Sequence, residues 1–307
     1  MVAPASPYAT PAELPRAGGH AGATVTLRPL LCAEMRAPIA WFHRADGPTA
    51  SLKALGIGAS SEQRLRVPIV AFLLEHPTAG LVLIDTGFHL SVAGGGGERA
   101  RNLGPVNRLI ARDVHMRADQ TVAGQLRTHG LDPADVDLVV MTHLHFDHAS
   151  ALCDFPHATV LVAVPEWNAA WARGSFLRGY STTQLDARPS YRTVDFTAPG
   201  AGPRGPFART LDVFADGSLT LLATPGHSAG HLSVILRLSD REALIAGDAV
   251  YTMATLREGE RPWRSEDPEA FEHSLEAIQA YDREHPDALI VPGHDMAHWE
   301  TLTERYE

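Results

Sequence analysis

The run Met141-Thr-His-Leu-His-Phe-Asp-His-Ala-Ser150 constrains this chain more than any other. It places His143, His145, Asp147 and His148 within six positions. The segment Leu138-Val-Val-Met141 feeds into it and reads as a buried strand, because it is short, branched and apolar on both faces. Two histidines spaced i, i+2 on an extended segment point to one side. A turn into a helix at Asp147-His148 would swing those side chains back toward the same point. One short loop can then offer four ligands to one or two metal ions. Neutral imidazole together with carboxylate suits zinc or a similar borderline cation. A His-rich stretch taken alone can equally be a solvated surface turn.

Three later segments argue against the surface turn. They are Leu221-Leu-Ala-Thr-Pro-Gly-His227, Ala243-Leu-Ile-Ala-Gly-Asp248 and Ala288-Leu-Ile-Val-Pro-Gly-His294. Each is an apolar strand-like run, then a small residue, then a side chain able to bind metal. Ligands at the ends of adjacent buried strands converge on one edge of a sheet. With the first run they give five histidines and two aspartates, enough for two metal ions sharing a carboxylate.

These pieces resemble the metallo-β-lactamase superfamily, and within it the N-acyl-homoserine lactonase branch. The matching motifs are Leu83-Ile-Asp-Thr-Gly87, Thr142-His-Leu-His-Phe-Asp-His-Ala149, Thr224-Pro-Gly-His-Ser-Ala-Gly-His231, Gly247-Asp-Ala-Val-Tyr-Thr252 and Gly293-His-Asp295, in the family's order. The resemblance implies an α/β fold of the αββα type, two mixed sheets flanked by helices, with the metal site at one edge between the sheets. It implies that His143, His145 and His227 hold one ion, that Asp147, His148 and His294 hold the other, and that Asp248 bridges them. Zinc is the expected metal, and the same donors accept manganese, iron or cobalt. A bridging hydroxide then attacks a lactone carbonyl, and Asp147 shuttles the proton to the leaving oxygen. Tyr251, three positions after Asp248, is expected to hydrogen-bond the carbonyl or the developing oxyanion; the alternative is a tyrosine of the core. Phe146 lines the acyl-chain side of the pocket or packs the loop. Asp85 orients a metal ligand or caps a turn. His231 reads as structural or as a residue that supports a ligand from behind. Met35, Trp41 and Phe42 are candidates for the pocket wall, with core packing as the alternative. The resemblance is compatible with a homodimer, which no sequence feature marks.

Composition narrows the classes further. A formal charge of -10 argues against a nucleic-acid partner, since phosphate binding needs basic surface. Two cysteines, Cys32 and Cys153, build no disulfide framework and fit a reducing cytoplasm. No apolar run approaches a membrane span. Residues 1–22, rich in Pro, Ala and Gly, read as a flexible arm, and 23–307 as a single hydrolase domain. Strands are expected over 24–32, 67–75, 81–85, 158–164, 219–224 and 232–238. Helices are expected over 121–129, from Pro165 and over 268–284, where Phe271, Leu275, Ile278 and Tyr281 share one face. Residues 94–97 read as a flexible glycine loop, and the proline-rich stretch 174–210 as an insertion between the two halves.

Other readings share parts of this pattern. A glyoxalase-type thioester hydrolase has the same ligand set but needs a basic cluster near the C-terminus, and none is evident. A true β-lactamase often lacks the shared carboxylate, which Asp248 provides here. A flavo-diiron oxidoreductase needs a carboxylate in place of His145. A phosphotriester or a different lactone would suit the same metals. A metal-binding regulatory protein with a dead site would be expected to have lost a ligand.

Overall fold

The computed structural model describes residues 9–94, 96–186 and 189–307. Eight strands form the first sheet: β1 Ala9–Pro11, β2 Thr26–Pro38, β3 Arg64–His76, β4 Gly80–Ile84, β5 Val114–His115, β6 Val136–Val140, β7 Thr159–Ala163 and β8 Ser190–Val194. Six form the second: β9 Gly202–Arg204, β10 Phe207–Asp212, β11 Leu219–Ala223, β12 Leu232–Arg237, β13 Glu242–Gly247 and β14 Leu289–Pro292. The spatial orders are β1-β8-β7-β6-β4-β3-β2-β5 and β14-β13-β12-β11-β10-β9. Both sheets are mixed: β4, β6, β7 and β8 run parallel, as do β13 and β14, while the remaining pairs except β1–β8 are antiparallel.

Alternation along the strands sorts the side chains into layers. Phe72, Leu74, Ile84, Leu138 and Val140 of the first sheet share one core with Leu219, Leu221, Val234, Leu236 and Ile245 of the second. On the other face of the first sheet, Leu73, Leu83, Val139 and Val160 meet Val122 and Leu126 of the helix Val122–Thr128 and Trp167 of the helix Val164–Trp171. On the outer face of the second, Leu222, Ile235 and Leu244 meet Phe271, Leu275, Ile278 and Tyr281 of the helix Pro268–Glu284. Each such side chain contributes about 1.5–3 kcal/mol on leaving water. The result is the expected αββα sandwich.

Two expectations need correction. The arm over 1–22 is not loose throughout. β1 pairs parallel with β8, Ala9 opposite Tyr191, and Arg16 N donates to Val213 O at 2.7 Å. An edge strand needs only backbone partners and tolerates Pro11, so its composition carried no signal. Residues 1–8 of that arm lie outside the described residues. The stretch 174–210 is not a mere insertion either, for it supplies β8, β9 and most of β10. Tyr191 and Val194 are buried at β8, Pro189 directly precedes that strand, and Pro203 lies within β9. A helix not anticipated, Gly97–Ile110, follows the glycine run, of which Gly95 lies outside the described residues. It buries only Leu103 and Asn107 and kinks at Gly104, which weakens the helical pattern. Among the described residues, no helix is long and apolar enough to cross a membrane.

Candidate metal centre

Every expected ligand follows the C-terminal end of a strand. His143, His145, Asp147 and His148 follow β6, His227 follows β11, Asp248 follows β13 and His294 follows β14. The loops bring these side chains together.

Three histidines form one end of the site. His227 Nε2 lies 3.2 Å from His143 Nε2 and 2.9 Å from His145 Nδ1. Asp147, His148 and His294 form the other, with His294 Nε2 3.6 Å and His148 Nε2 3.9 Å from Asp147 Oδ2. Within each triad the donor atoms lie within 4.8 Å of one another. Asp248 stands between them. Its Oδ2 is 3.3 Å from His227 Nε2, and its Oδ1 is 3.2 Å from His294 Nε2 and 3.4 Å from His148 Nε2. One carboxylate thus presents one oxygen to each triad.

The donors fit cations. Ring nitrogens that crowd one point repel through their lone pairs unless positive charge lies between them. His148 Nε2 and Asp248 Oδ1 are buried and make no hydrogen bond among the described residues. Burial first, then neighbouring histidines, hold His143 well below its usual pKa, and burial also lowers His227, so both stay neutral, as ligands must. His145 is pulled down by burial to about 4. At the acidic end the balance reverses. Burial works to lower His148 and His294, but the facing carboxylates outweigh it and both are raised. Without metal, these two rings favour the protonated form more than a free imidazole does, and a metal competes with that proton. Metal affinity is therefore expected to rise with pH, with protons released on binding. Zinc calorimetry in buffers of different ionisation enthalpy measures that release, and binding without it would contradict the assignment.

The ligands are themselves oriented by partners. Asp85 adopts a left-handed backbone (φ 57°), uncommon for a residue with a side chain. Its Oδ1 accepts from Thr142 N at 2.8 Å. Its Oδ2 accepts from Thr142 Oγ1 and from His148 Nδ1, both at 2.7 Å. The proton on Nδ1 leaves the Nε2 lone pair of His148 for metal. His294 Nδ1 donates to Pro68 O at 3.2 Å with the same effect. His231 stays out of the ligand set. Its Nε2 accepts from Asp248 N at 3.0 Å and its Nδ1 donates to Thr224 O at 3.1 Å, which braces Asp248.

The space above the ligands is a pocket. Met35, Trp41, Phe42, Ile110 and Phe146 wall it with apolar surface, and Tyr251, Asp147 and Asp248 face it from below. Residues 64–294 match the sequence profile of the metallo-beta-lactamase superfamily. The chain belongs to that superfamily. It is 33% identical over 252 residues to the N-acyl homoserine lactonase AttM of Agrobacterium fabrum, covering 80% of this chain and 86% of the relative. It is 27% identical over 240 residues to the N-acyl homoserine lactonase AiiA of Bacillus thuringiensis subsp. kurstaki, covering 76% and 83%. A solved quorum-quenching N-acyl homoserine lactone lactonase superposes with a TM-score of 0.69 at 23% identity, over 91% of this chain and 96% of that one, a likeness of fold.

Within this metallo-beta-lactamase fold, sequence reasoning overlooked Gly179, Tyr180 and Glu166. The Tyr180 ring packs edge-on to His145 at 4.9 Å, and a Cβ on Gly179 would stand 2.9 Å from the His145 ring. Gly179 also has φ +100°, which a side chain resists. Gly179→Ala is expected to displace His145 and weaken metal binding about tenfold, measured by zinc titration. The stretch 174–210, expected to be an insertion, therefore packs against the candidate ligand His145. The lone charge of Glu166 in the apolar run Ala163-Val-Pro-Glu-Trp167 was the signal available for that residue.

Proposed function

We propose that this chain is a dinuclear metal-dependent hydrolase that opens the lactone ring of N-acyl-homoserine lactones, a quorum-quenching reaction. The observation that carries the reading is the split of Asp248 between the two triads beneath an apolar-walled pocket. Such a pocket suits a polar ring over the metals and an acyl chain along Met35, Trp41, Phe42 and Phe146. The names of the AttM and AiiA relatives support the same substrate class. Two divalent cations, zinc by donor type, would supply Lewis acidity to the carbonyl and a water acidic enough to ionise near neutral pH.

The chain's own residues do the rest. With Nε2 of His227 given to metal, its Nδ1 carries the proton and donates to the Tyr251 oxygen 2.9 Å away. That fixes the phenol as an acceptor from His227 and frees its O–H to donate into the pocket. Burial, then the charges of Asp248 and Asp147, raise the Tyr251 pKa well above its usual value, so the donor keeps its proton. A donor aimed at the carbonyl oxygen stabilises charge as it develops there. Ring opening leaves an oxygen that needs a proton, while the attacking water has one to lose. Asp147 faces the pocket and can accept the second and deliver the first. Proton release during ring opening of N-acyl-homoserine lactones tests the proposal. Absence of turnover by the metal-loaded chain would sink it.

A further inference from the structure

We infer that Glu166 is a positioning residue for the three-histidine end of the metal centre, its carboxylate clasping the loop of His143 and His145 to the loop of His227. The inference rests on the dinuclear reading above and adds a residue that the reading does not use.

Glu166 lies in the first turn of the helix Val164–Trp171 and is fully buried. Its Oε1 accepts from Leu144 N at 2.9 Å. Its Oε2 accepts from Ser228 Oγ at 2.7 Å and from Gly230 N at 3.0 Å. Leu144 sits between His143 and His145, and Ser228 follows His227. The first loop leaves β6 in one sheet and the second leaves β11 in the other. A backbone bond from Leu232 N to Thr142 O, at 2.9 Å, joins the roots of the two loops. The Glu166 carboxylate joins them beside the ligands.

The chemistry explains why a glutamate stands there. A buried carboxylate is costly unless its oxygens are satisfied, and no ion pair to Glu166 is present among the described residues. Both of its oxygens face donors, so the position needs two acceptors on one fork. Glutamine has one acceptor. Either orientation of its amide would set an NH2 group against an N–H, of Leu144 or of Gly230. The loop is also built to come close: a Cβ on Gly230 would fall 2.2 Å from Glu166 N.

The test is cobalt(II) affinity and visible spectrum, read in two backgrounds. His294→Ala keeps the three-histidine end, and His227→Ala keeps the other. Glu166→Gln is expected to weaken cobalt binding about 10- to 100-fold in the first background, with an altered cobalt spectrum, and to leave the second unchanged. A general loss of stability would not discriminate between the ends. Ser228→Ala, which removes one of the three donors, is expected to show the same end-selective weakening at smaller size, and it carries the test if Glu166→Gln does not fold. Equal affinity with and without these substitutions, or equal weakening at both ends, would overturn the inference. A wild-type chain that bound no cobalt would instead overturn the dinuclear reading on which it rests.

Discussion

Asp248→Asn is expected to cripple metal-dependent turnover: lactone opening falls by about 10²–10⁴-fold, from the ~3–5 kcal/mol lost on breaking a buried charge pair. Asparagine keeps the shape of the residue and removes the charge, so the effect isolates the bridge. Burial alone would raise the Asp248 pKa, but His294, His227 and His148 outweigh it and hold the carboxyl well below its usual range. It is therefore an anion facing both triads, with an oxygen within 3.4 Å of each. Elemental analysis should show metal content falling along with activity. A variant that keeps both metals and wild-type rates would contradict the bridging role.

Tyr251→Phe is expected to behave differently. The ring is buried, 4% exposed, and packs edge-on to Phe42 at 5.6 Å, contacts that phenylalanine retains. Metal content should hold. What is lost is one hydrogen bond to developing charge, worth about 1.5–3 kcal/mol, or a fall in kcat of about 10- to 150-fold. KM should change little, because the bond strengthens as the reaction proceeds. His227 Nδ1 also loses its acceptor, so stability should drop by about 1 kcal/mol. Steady-state kinetics beside thermal unfolding separates the two effects. Unchanged kcat with lowered stability would reduce Tyr251 to a core residue.

The candidate metal centre was legible in the sequence because each later candidate ligand lies shortly after an apolar strand: Leu221 to His227, Ala243 to Asp248, Ala288 to His294. Fold class followed from the same runs, whose alternation sorts Leu221 inward and Leu222 outward. What stayed hidden depends on contacts between distant residues. Glu166 acts on positions 144, 228 and 230, and Gly179 on the ring of His145, so no local pattern records either. β1 was invisible because an edge strand pairs through backbone alone. The helix Gly97–Ile110 was missed because its few buried side chains and the Gly104-Pro105 kink leave no clear periodicity.

The central claim is lactone hydrolysis by two metals, and the most direct measurement follows the acid released as N-acyl-homoserine lactones open. The zinc-loaded chain would be compared with chelator-treated protein, using short and long acyl chains, with a β-lactam and a glutathione thioester alongside. The account predicts lactone opening with kcat/KM of at least ~10⁴ M⁻¹s⁻¹, lost on chelation, restored by zinc, and far faster than with either control substrate. Lactone turnover no faster with zinc than without it, in protein that demonstrably holds two metals, would contradict it.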